Sequence, residues 1–543
     1  MPDLMKYFPR SVLLFALIVA TITSLPYLTG LLDTPVGWQY SGMPASPTGI
    51  QFDYASHFAK MWQGSRGQWD YHLLFTHETH PGLLLVQGFY VALGALAHIT
   101  VLGIPVVFHI ARSLLTFGMI LAIWVFSCRF FEKPKERWLG LLFGTVSVGW
   151  SWWLLFVSPD TTQSVAPIEF WLTDAFNTLG AFYMPHFAAA VILQIVIVLS
   201  FDDWVRQTGK WRLVTLTLAL AAEAIVQPYS ILLLLPLLFV LTIYHTFSIK
   251  RLSIRRAFWL LIPVVIHSAL VLYQYVVLNT DPVWASFTVQ NQTLSPDLIY
   301  YLLGYLPFII PMAIGLRVFL LDRADDRWWL PILWVALVAM LLYAPFPTQR
   351  RYLLGVQTPL AVMSAYGWSR AVLTRFRERR RTLISILYLA LTSVALIGVI
   401  AANGVALSNP RQSTNVFYQP DELAAYDWLR HQNQPEDLVV TTFSTNGTGN
   451  GSRIVAATGQ RVFLGHWIET ADFEHKMDLI RQFYSSSTPD SWRMSFLKDI
   501  NATYIWYDES AKQLGEWNPS QFAFAEAVFA SDTITIYKVI RGS

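Results

Sequence analysis

The chain has 543 residues, of which 54% are hydrophobic and only 13% charged, and its mean hydropathy is +0.42. This composition excludes an ordinary soluble globular protein, in which about 25% of the residues are charged. The formal net charge of +3 gives no indication of a nucleic-acid partner, and the single cysteine, Cys128, excludes an internal disulfide.

Apolar segments long enough to cross a bilayer recur between residues 11 and 403, and clusters of Lys and Arg separate them. Because cytoplasmic loops are enriched in Lys and Arg, we place every cluster in the cytoplasm. The sequence then predicts a polytopic α-helical protein of the plasma membrane with about eleven transmembrane helices, a cytoplasmic N-terminus and an external C-terminus. The clusters lie at residues 6–10, 129–137, 206–212, 250–256, 317–327 and 375–381.

Residues 82–98 form an apolar segment that does not fit this topology as a crossing. A crossing there would move the next basic cluster to the outside and reverse every later one. We therefore expect a short helix that lies in the membrane interface. An ordinary crossing, compensated elsewhere in the chain, stays open because the charge rule is a statistical bias.

The predicted topology divides the chain into a transmembrane domain, residues 1–408, and an extracytoplasmic tail, residues 409–543. The transmembrane domain carries a long first outer loop at residues 33–105. The tail has the patterning of a soluble α/β domain, because amphipathic helical segments alternate with short apolar strands. The predicted tail elements are helices at 420–431 and 473–484 and strands at 437–443, 503–507 and 533–539.

The first outer loop sets acids, histidines and aromatic residues at the membrane surface. Asp53 and His57 are spaced i, i+4, so a short helix would place both on one face. A carboxylate there could accept a proton from a hydroxyl group or hold a divalent cation that bridges phosphates. A solvated loop acid or a helix cap is the simpler interpretation of Asp53. His77, Glu78 and His80 do not have a usual zinc spacing. We expect Glu78 and His80 to be partners for Asp53 or for a substrate headgroup.

The second outer loop supplies further acids, and a pair of arginines precedes a late span. Glu169 and Asp174 are candidates for a second carboxylate, and His186 is a candidate substrate contact, although ordinary loop polarity explains such residues equally. Arg350 and Arg351 lie on the outer side in the predicted topology. Guanidinium groups at a membrane edge can bind a phosphate bidentately or anchor to lipid headgroups, and both interpretations stay open.

Two further groups of polar residues stand out. Trp467 and Glu469 of the tail could contact a sugar or an acceptor, and a packed turn is an equally good interpretation. Glu223 and Gln227, at the outer end of a predicted span, are candidates for lining a cavity, because polar residues in a helix bundle face its interior.

Several of these motifs resemble the C-type (GT-C) glycosyltransferases that use polyprenyl-phosphate sugars, such as protein mannosyltransferases and aminoarabinose transferases. The resemblance covers the membrane part and implies that Asp53 is the catalytic base or a metal partner. It also implies that Arg351, or Arg350, contacts the donor phosphate. No Asp-x-Asp pair occurs in the first loop, so the second carboxylate and any metal dependence stay open. The motifs are Asp53 with His57, His80-Pro81, Arg112, and Pro347 to Leu354.

The residues and the resemblance together predict an enzyme that moves a sugar from a polyprenyl-phosphate donor to an acceptor hydroxyl outside the cytoplasm. Its partners are the lipid-linked sugar, membrane lipid and an acceptor that the sequence does not identify. His57 and Glu78 would orient Asp53 or the acceptor. The rival is a non-enzymatic transporter or lipid-binding scaffold with an exported α/β domain. Transporters usually carry ionisable residues near mid-helix and duplicated halves, and the sequence has little of either.

Overall fold

The structure is a computed structural model that describes residues 8–45, 49–85, 87–157, 167–207, 209–322, 325–432, 434, 436–443, 450–515 and 517–540. Contacts divide the chain into two compact units. The first unit comprises Met1–Leu25, His109–Tyr273 and Gln292–Ala402, and the second comprises Pro26–Phe108, Gln274–Asn291 and Asn403–Ser543. The predicted boundary at residue 408 stays a prediction. In this grouping, residues 33–105 lie in the same unit as the tail.

Six helices of the described chain are long and apolar enough to cross a membrane, judged by length and composition. A seventh is counted if the bent pair Arg10–Ile22 and Leu25–Leu32 forms one span. The chain is therefore an integral, multi-pass membrane protein. The six are Ile104–Phe130, Pro185–Arg206, Pro228–Ser248, Ile254–Thr280, Leu298–Leu320 and Glu378–Leu407.

The predicted count of about eleven stays a prediction, as does the orientation of the termini. Several predicted spans coincide with helices that are shorter than a crossing requires. Trp329–Leu341, for example, has 13 residues, whereas about 20 residues are needed to cross the hydrocarbon core. The segment predicted to lie in the interface forms the helix Gly88–Thr100, also of 13 residues. This length is shorter than a crossing requires, and the interfacial placement of the helix stays a prediction.

The first unit is helical in its described residues. The side chain of Gln357 is fully buried and links three segments of this unit. Its Nε2 donates to the backbone oxygens of Phe143 and Ser147, and its Oε1 accepts the backbone N–H of Asn177. These bonds tie Asn177 and the C-terminal end of Pro134–Thr145 to the helix Gln357–Gly367. Besides the candidate spans, the α-helices of this unit are Arg10–Ile22, Pro134–Thr145, Leu154–Val157, Ile168–Trp171, Asn177–Tyr183, Lys210–Val226, Trp329–Leu341 and Gln357–Gly367. Its 3-10 turns are Ser151–Trp153, Thr173–Ala175, Pro228–Ser230, Asp326–Trp328, Gln349–Leu353 and Leu373–Arg375. Its π-helical turns are Tyr244–Ser248 and Trp368–Val372.

The second unit contains a five-stranded mixed sheet formed by the tail. In spatial order its strands are Arg461–Val462, Leu438–Val440, Tyr504–Tyr507, Thr535–Val539 and Ala525–Ala530. The first three strands are parallel to one another, and Thr535–Val539 is antiparallel to both of its neighbours. Parallel strands are usually covered on both faces, and the strands at 438–440 and 504–507 are buried throughout. The tail helices are Pro420–Gln432, Asn450–Thr458, Phe473–Tyr484, Asp490–Asp499 and Glu509–Leu514.

Elements of the first loop complete the second unit. Gln39–Tyr40 pairs with Phe417–Tyr418 of the tail, and Asp70–Tyr71 pairs with Leu83–Leu84. The helices of this part are Leu25–Leu32, Ile50–Ser65, Gly88–Thr100 and Pro282–Gln290.

Two glycines allow the helices Ile50–Ser65 and Gly88–Thr100 to cross closely. A Cβ atom added at Gly64 would lie 2.0 Å from the backbone oxygen of Val91, and one added at Gly94 would lie 2.0 Å from that of Met61. Neither position can accept a side chain without moving the backbone, so the sequence fixes this crossing. The crossing determines how the helix that carries Asp53 is presented.

Candidate functional site

The helix Ile50–Ser65, called the first-loop helix from here on, carries Asp53 in its first turn with the side chain exposed. The backbone dipoles at a helix N-terminus favour a negative charge at this position. His57, one turn further on, is half-buried, and its ring stacks on Tyr90 with the centroids 3.9 Å apart. The helix predicted from the i, i+4 spacing is confirmed. Packing of His57 on Tyr90 holds the turn between the two candidate residues.

Lys60 lies two turns beyond Asp53 and forms a buried ion pair with Glu469 of the tail. Its Nζ atom is 2.8 Å from Glu469 Oε1, and the two side chains are 1% and 4% exposed. The Tyr71 hydroxyl donates to Glu469 Oε2 at 2.6 Å, and the Ser56 hydroxyl donates to Oε1 at 2.5 Å. Burial alone would raise the pKa of Glu469, but the Lys60 charge and the hydrogen bonds from Lys60 and Ser56 lower it to about 2. The carboxylate is therefore ionised and fixes the first-loop helix to the tail.

His466 lies beside the first turn of the same helix, where the Phe52 ring meets it edge-on with centroids 6.0 Å apart. Its Nδ1 atom accepts the backbone N–H groups of Ile468 and Glu469 at 3.1 and 3.2 Å. Burial lowers the pKa of His466, and the nearby carboxylates, Asp53 among them, oppose that shift only in part. The ring is therefore neutral with its hydrogen on Nε2, an atom that has no partner among the described residues.

Glu78 is engaged with a different lysine of the tail. Its carboxylate lies 2.6 Å from Lys476 Nζ and accepts a hydrogen bond from Thr76. Burial alone would raise the pKa of Glu78, but the Lys476 charge lowers it. Burial also lowers the pKa of Lys476, to about 8. The predicted role of Glu78 in orienting Asp53 stays a prediction, and the contacts shown here are structural.

His80 has a fixed tautomer. Its Nε2 atom accepts the backbone N–H of Leu73 at 2.9 Å, so its Nδ1 carries the hydrogen and donates to the backbone oxygen of Glu78, also at 2.9 Å. The ring packs edge-on against Trp284, and burial lowers the pKa of the imidazole. These contacts hold the turn before Pro81 in place.

In the first unit, Arg351 lies beside one of the predicted second-loop acids. Its Nη1 atom is 3.7 Å from Asp174 Oδ1, and the side chains are 25% and 5% exposed. The neighbouring Arg350 lies over the ring of Trp171, 5.4 Å from its centroid. Two short elements produce this arrangement, the 3-10 turns Thr173–Ala175 and Gln349–Leu353. The sequence named both partners of the Arg351 pair but did not predict that they meet.

Glu169, the other second-loop acid, is fully buried. The Ser151 hydroxyl donates to its Oε2 at 2.5 Å, while Oε1 has no partner in the described part of the chain. Burial raises the pKa of Glu169. Of the two acids, Asp174 is therefore the one associated with a cationic side chain.

The remaining candidates occupy separate positions. Glu223, Gln227 and Gln194 are all buried. The Nε2 of Gln194 donates a hydrogen bond to Glu223 Oε1 at 3.2 Å. Polar residues of this region thus face the interior, as predicted. His186 is half-buried at the start of Pro185–Arg206. Trp467 is 47% exposed, which leaves it available as a surface contact.

A metal site is not evident in the residues that the structure describes, since no group of three His, Cys, Asp or Glu side chains there could hold an ion. The dependence on a divalent cation stays a prediction.

The structure assembles the predicted site residues in two sets, one in each unit. Sequence reasoning missed Lys60, His466 and Lys476. A lysine on the buried face of the first-loop helix does signal an acidic partner, but it cannot say that the partner is Glu469, which lies 409 residues away. The predicted meeting of Asp53 with Arg351 stays a prediction.

No protein-family model and no curated protein sequence matches the chain. Solved structures do match it in fold. The oligosaccharyltransferase AglB from Archaeoglobus fulgidus, in complex with an inhibitory peptide and a dolichol-phosphate, aligns with a TM-score of 0.51 at 11% identity, covering 93% of this chain and 69% of that one.

ArnT from Cupriavidus metallidurans, bound to undecaprenyl phosphate, aligns with a TM-score of 0.50 at 10% identity, over 96% of this chain and 97% of that one. A variant of the arabinofuranosyltransferase AftD from Mycobacteria aligns with a TM-score of 0.51 at 13% identity, over 97% of this chain and 42% of that one. The fold that the sequence motifs suggested is confirmed: this chain shares the fold of AglB, ArnT and AftD, as the resemblance to the GT-C glycosyltransferases implied.

Proposed function

We propose that this protein transfers a sugar from a polyprenyl-phosphate donor to an acceptor hydroxyl on the extracytoplasmic side of the membrane. The observation that carries the proposal is the GT-C fold together with an exposed acid, Asp53, in the first turn of a firmly anchored first-loop helix. AglB and ArnT, which share this fold, were solved with dolichol-phosphate and undecaprenyl phosphate.

In this proposal Asp53 is the general base. Its carboxylate accepts the proton of the acceptor hydroxyl, and the resulting oxygen nucleophile forms a bond to the anomeric carbon of the donor sugar. The bond between that carbon and the phosphate oxygen breaks, the lipid phosphate leaves with the electron pair, and the anomeric configuration inverts. Arg351 stabilises the charge on the departing phosphate.

The surroundings of Asp53 support this role. The first-loop helix is held on its inner side by Lys60 and Glu469, so the base is presented by a rigid element. The neutral His466 does not add a positive charge that would weaken the basicity of Asp53. His57 keeps the predicted role of orienting the acid or the acceptor, and Trp467 is a candidate contact for the acceptor.

The test is sugar transfer by the purified, reconstituted protein with a series of polyprenyl-phosphate pentoses and hexoses. We expect Asp53→Asn to lower the transfer rate by at least about 100-fold, the contribution typical of a general base. The matched control is Asp70→Asn, which changes an exposed acid of the same loop whose carboxylate lies 3.2 Å from His72 Nε2. Folding is checked by comparing the thermal midpoints of both variants with that of the parent.

Full transfer by Asp53→Asn would show that the base is another residue. Failure of the parent protein to transfer any sugar of the series, while it still binds a polyprenyl phosphate, would favour the lipid-binding scaffold.

A further inference from the structure

An apolar groove lies in the first unit, remote in sequence from the residues assigned to sugar transfer. It has a volume of about 610 Å³, within the range of about 300–1,000 Å³ typical of ligand sites. Its walls come from Lys210–Val226, Ile231–Ile243, Tyr244–Ser248, Ile254–Trp259 and the start of Leu261–Thr280. Almost all of its lining is hydrocarbon, so a ligand in it must be apolar.

Breaks in the helices create the groove. Pro236 interrupts the hydrogen-bond ladder inside Ile231–Ile243, because proline has no backbone N–H. The chain then winds into the π-helical turn Tyr244–Ser248, which displaces the side chains that follow. Phe239, Phe247 and Phe258, which line the groove, are 64–65% exposed. The groove is therefore open on the side that faces lipid.

One end of the groove is basic. Lys250 follows the π-helical turn, and Arg255 is next to the lining residue Ile254. Both side chains are exposed, and neither forms an ion pair within the described part of the chain, whereas Arg251 is bound to Asp326 at 2.7 Å. Two cations thus remain available for an anion at this end.

A polar group lies between the basic end and the hydrocarbon. Thr246 lines the groove, and its hydroxyl is buried without a hydrogen-bond partner among the described residues. A buried hydroxyl without a partner is costly, so such groups normally find one in a ligand or a water. Exposed Trp211 and Trp259, on the helices that form this end, are residues typical of a membrane interface.

We infer that the groove binds one acyl chain of an anionic glycerophospholipid. The acyl chain fills the apolar groove, and the lipid phosphate lies against Lys250 and Arg255. The Thr246 hydroxyl donates to the ester carbonyl that lies between the acyl chain and the phosphate. The ester distinguishes a glycerophospholipid from a polyprenyl phosphate, because a polyprenyl phosphate has no carbonyl that could accept the hydrogen bond from Thr246. The site is independent of the proposed transfer reaction and binds a lipid that is not consumed.

The test uses the full-length protein in lipid nanodiscs that contain a phosphatidylglycerol with a photoreactive diazirine on one acyl chain. We expect the crosslinks to concentrate on residues 235–247 and 254–264. Ala257→Trp fills the groove and should abolish most of this labelling. The matched control Ala269→Trp, at an exposed position of Leu261–Thr280 outside the groove, should leave it unchanged.

A second pair of variants tests the headgroup without touching the interior. One basic residue near an anionic lipid changes its binding by about fivefold. Lys250→Gln with Arg255→Gln should therefore lower the preference for phosphatidylglycerol over phosphatidylcholine probes by at least about fivefold. Arg379→Gln with Arg380→Gln, two exposed arginines elsewhere, should not change it.

Three results would overturn the inference. The first is equal labelling of the groove segments in the Ala257 and Ala269 variants. The second is an unchanged lipid preference after removal of Lys250 and Arg255. The third is displacement of the phosphatidylglycerol probe by an equal amount of polyprenyl phosphate, which would assign the groove to the carrier lipid.

Discussion

Two ion pairs of this protein differ in a way that separates anchoring from binding. In the second unit, Lys60 and Glu469 lie 2.8 Å apart with side chains at most 4% exposed. In the first unit, Arg351 and Asp174 lie 3.7 Å apart, and the arginine is 25% exposed. The first pair is closed and saturated by further hydrogen bonds. The second is long and open on the arginine side.

This difference indicates distinct roles. A buried charge pair whose partners are fully hydrogen-bonded holds two segments in one geometry, because separating the charges leaves each of them buried and unpaired. A partly exposed guanidinium in a longer ion pair can be reached by a phosphate from solution. The first-loop helix is thus fixed in place, while Arg351 is held near its site by Asp174 and stays accessible to a ligand.

Removing one charge of the closed pair should have the largest effect. Lys60→Met leaves the Glu469 carboxylate buried without its counter-ion, and we expect a loss of about 3–5 kcal/mol in the stability of the second unit. The double variant Lys60→Met with Glu469→Met should recover at least half of it, because an apolar pair replaces the two charges. Thermal unfolding followed by tryptophan fluorescence measures both. Equal loss in the single and double variants would contradict the anchoring role.

Lowering the pH should have the next largest effect on stability, through the same ion pair of Lys60 and Glu469. The pKa of Glu469 is lowered to about 2 from an ordinary value of 4.5. Its stabilising contribution is therefore complete above pH 4.5 and is lost as the pH falls toward 2, for a total of about 3 kcal/mol. The midpoint of unfolding should fall over this window in the parent protein and fall less in Glu469→Gln. Parallel pH profiles of the two proteins would show that another group controls acid unfolding.

The open pair should contribute little to stability. We expect Arg351→Gln to change the stability by less than about 1 kcal/mol, as for other partly exposed ion pairs. The same change should raise the KM for the lipid-linked donor, because the phosphate loses a charged hydrogen-bond donor. Arg317→Gln, on the basic side of a candidate span, is the matched control. A large loss of stability with an unchanged KM would instead make Arg351 an anchor.

The sequence predicted elements better than it predicted contacts. The helix Phe473–Tyr484 lies where its apolar periodicity placed it, and the strand Tyr504–Tyr507 falls within its predicted segment. Both depend on local patterns of apolar residues, which are readable in one segment of chain. The helix Asp490–Asp499 was missed. Its exposed charges interrupt the apolar pattern, and its packing on the sheet is decided by distant residues.

Contacts of the site depend on partners that are far apart along the chain. Asp53 and His57 were predictable as a pair because one helical turn relates them. The partner of Glu78 was not, since Lys476 lies 398 residues away and an exposed loop acid looks the same with or without it. Likewise, the two segments that bring Asp174 to Arg351 are short 3-10 turns, which leave no periodic signal in a sequence.

We propose that Asp53 and Arg351 serve one site on the outer side of the membrane. The most direct measurement is labelling of Asp53→Cys and Arg351→Cys, each in a Cys128→Ser background, with a membrane-impermeant maleimide in sealed right-side-out vesicles. We predict that both cysteines react without permeabilisation. Labelling of one from outside and of the other only after the membrane is opened would place the two residues on opposite sides and contradict a shared site.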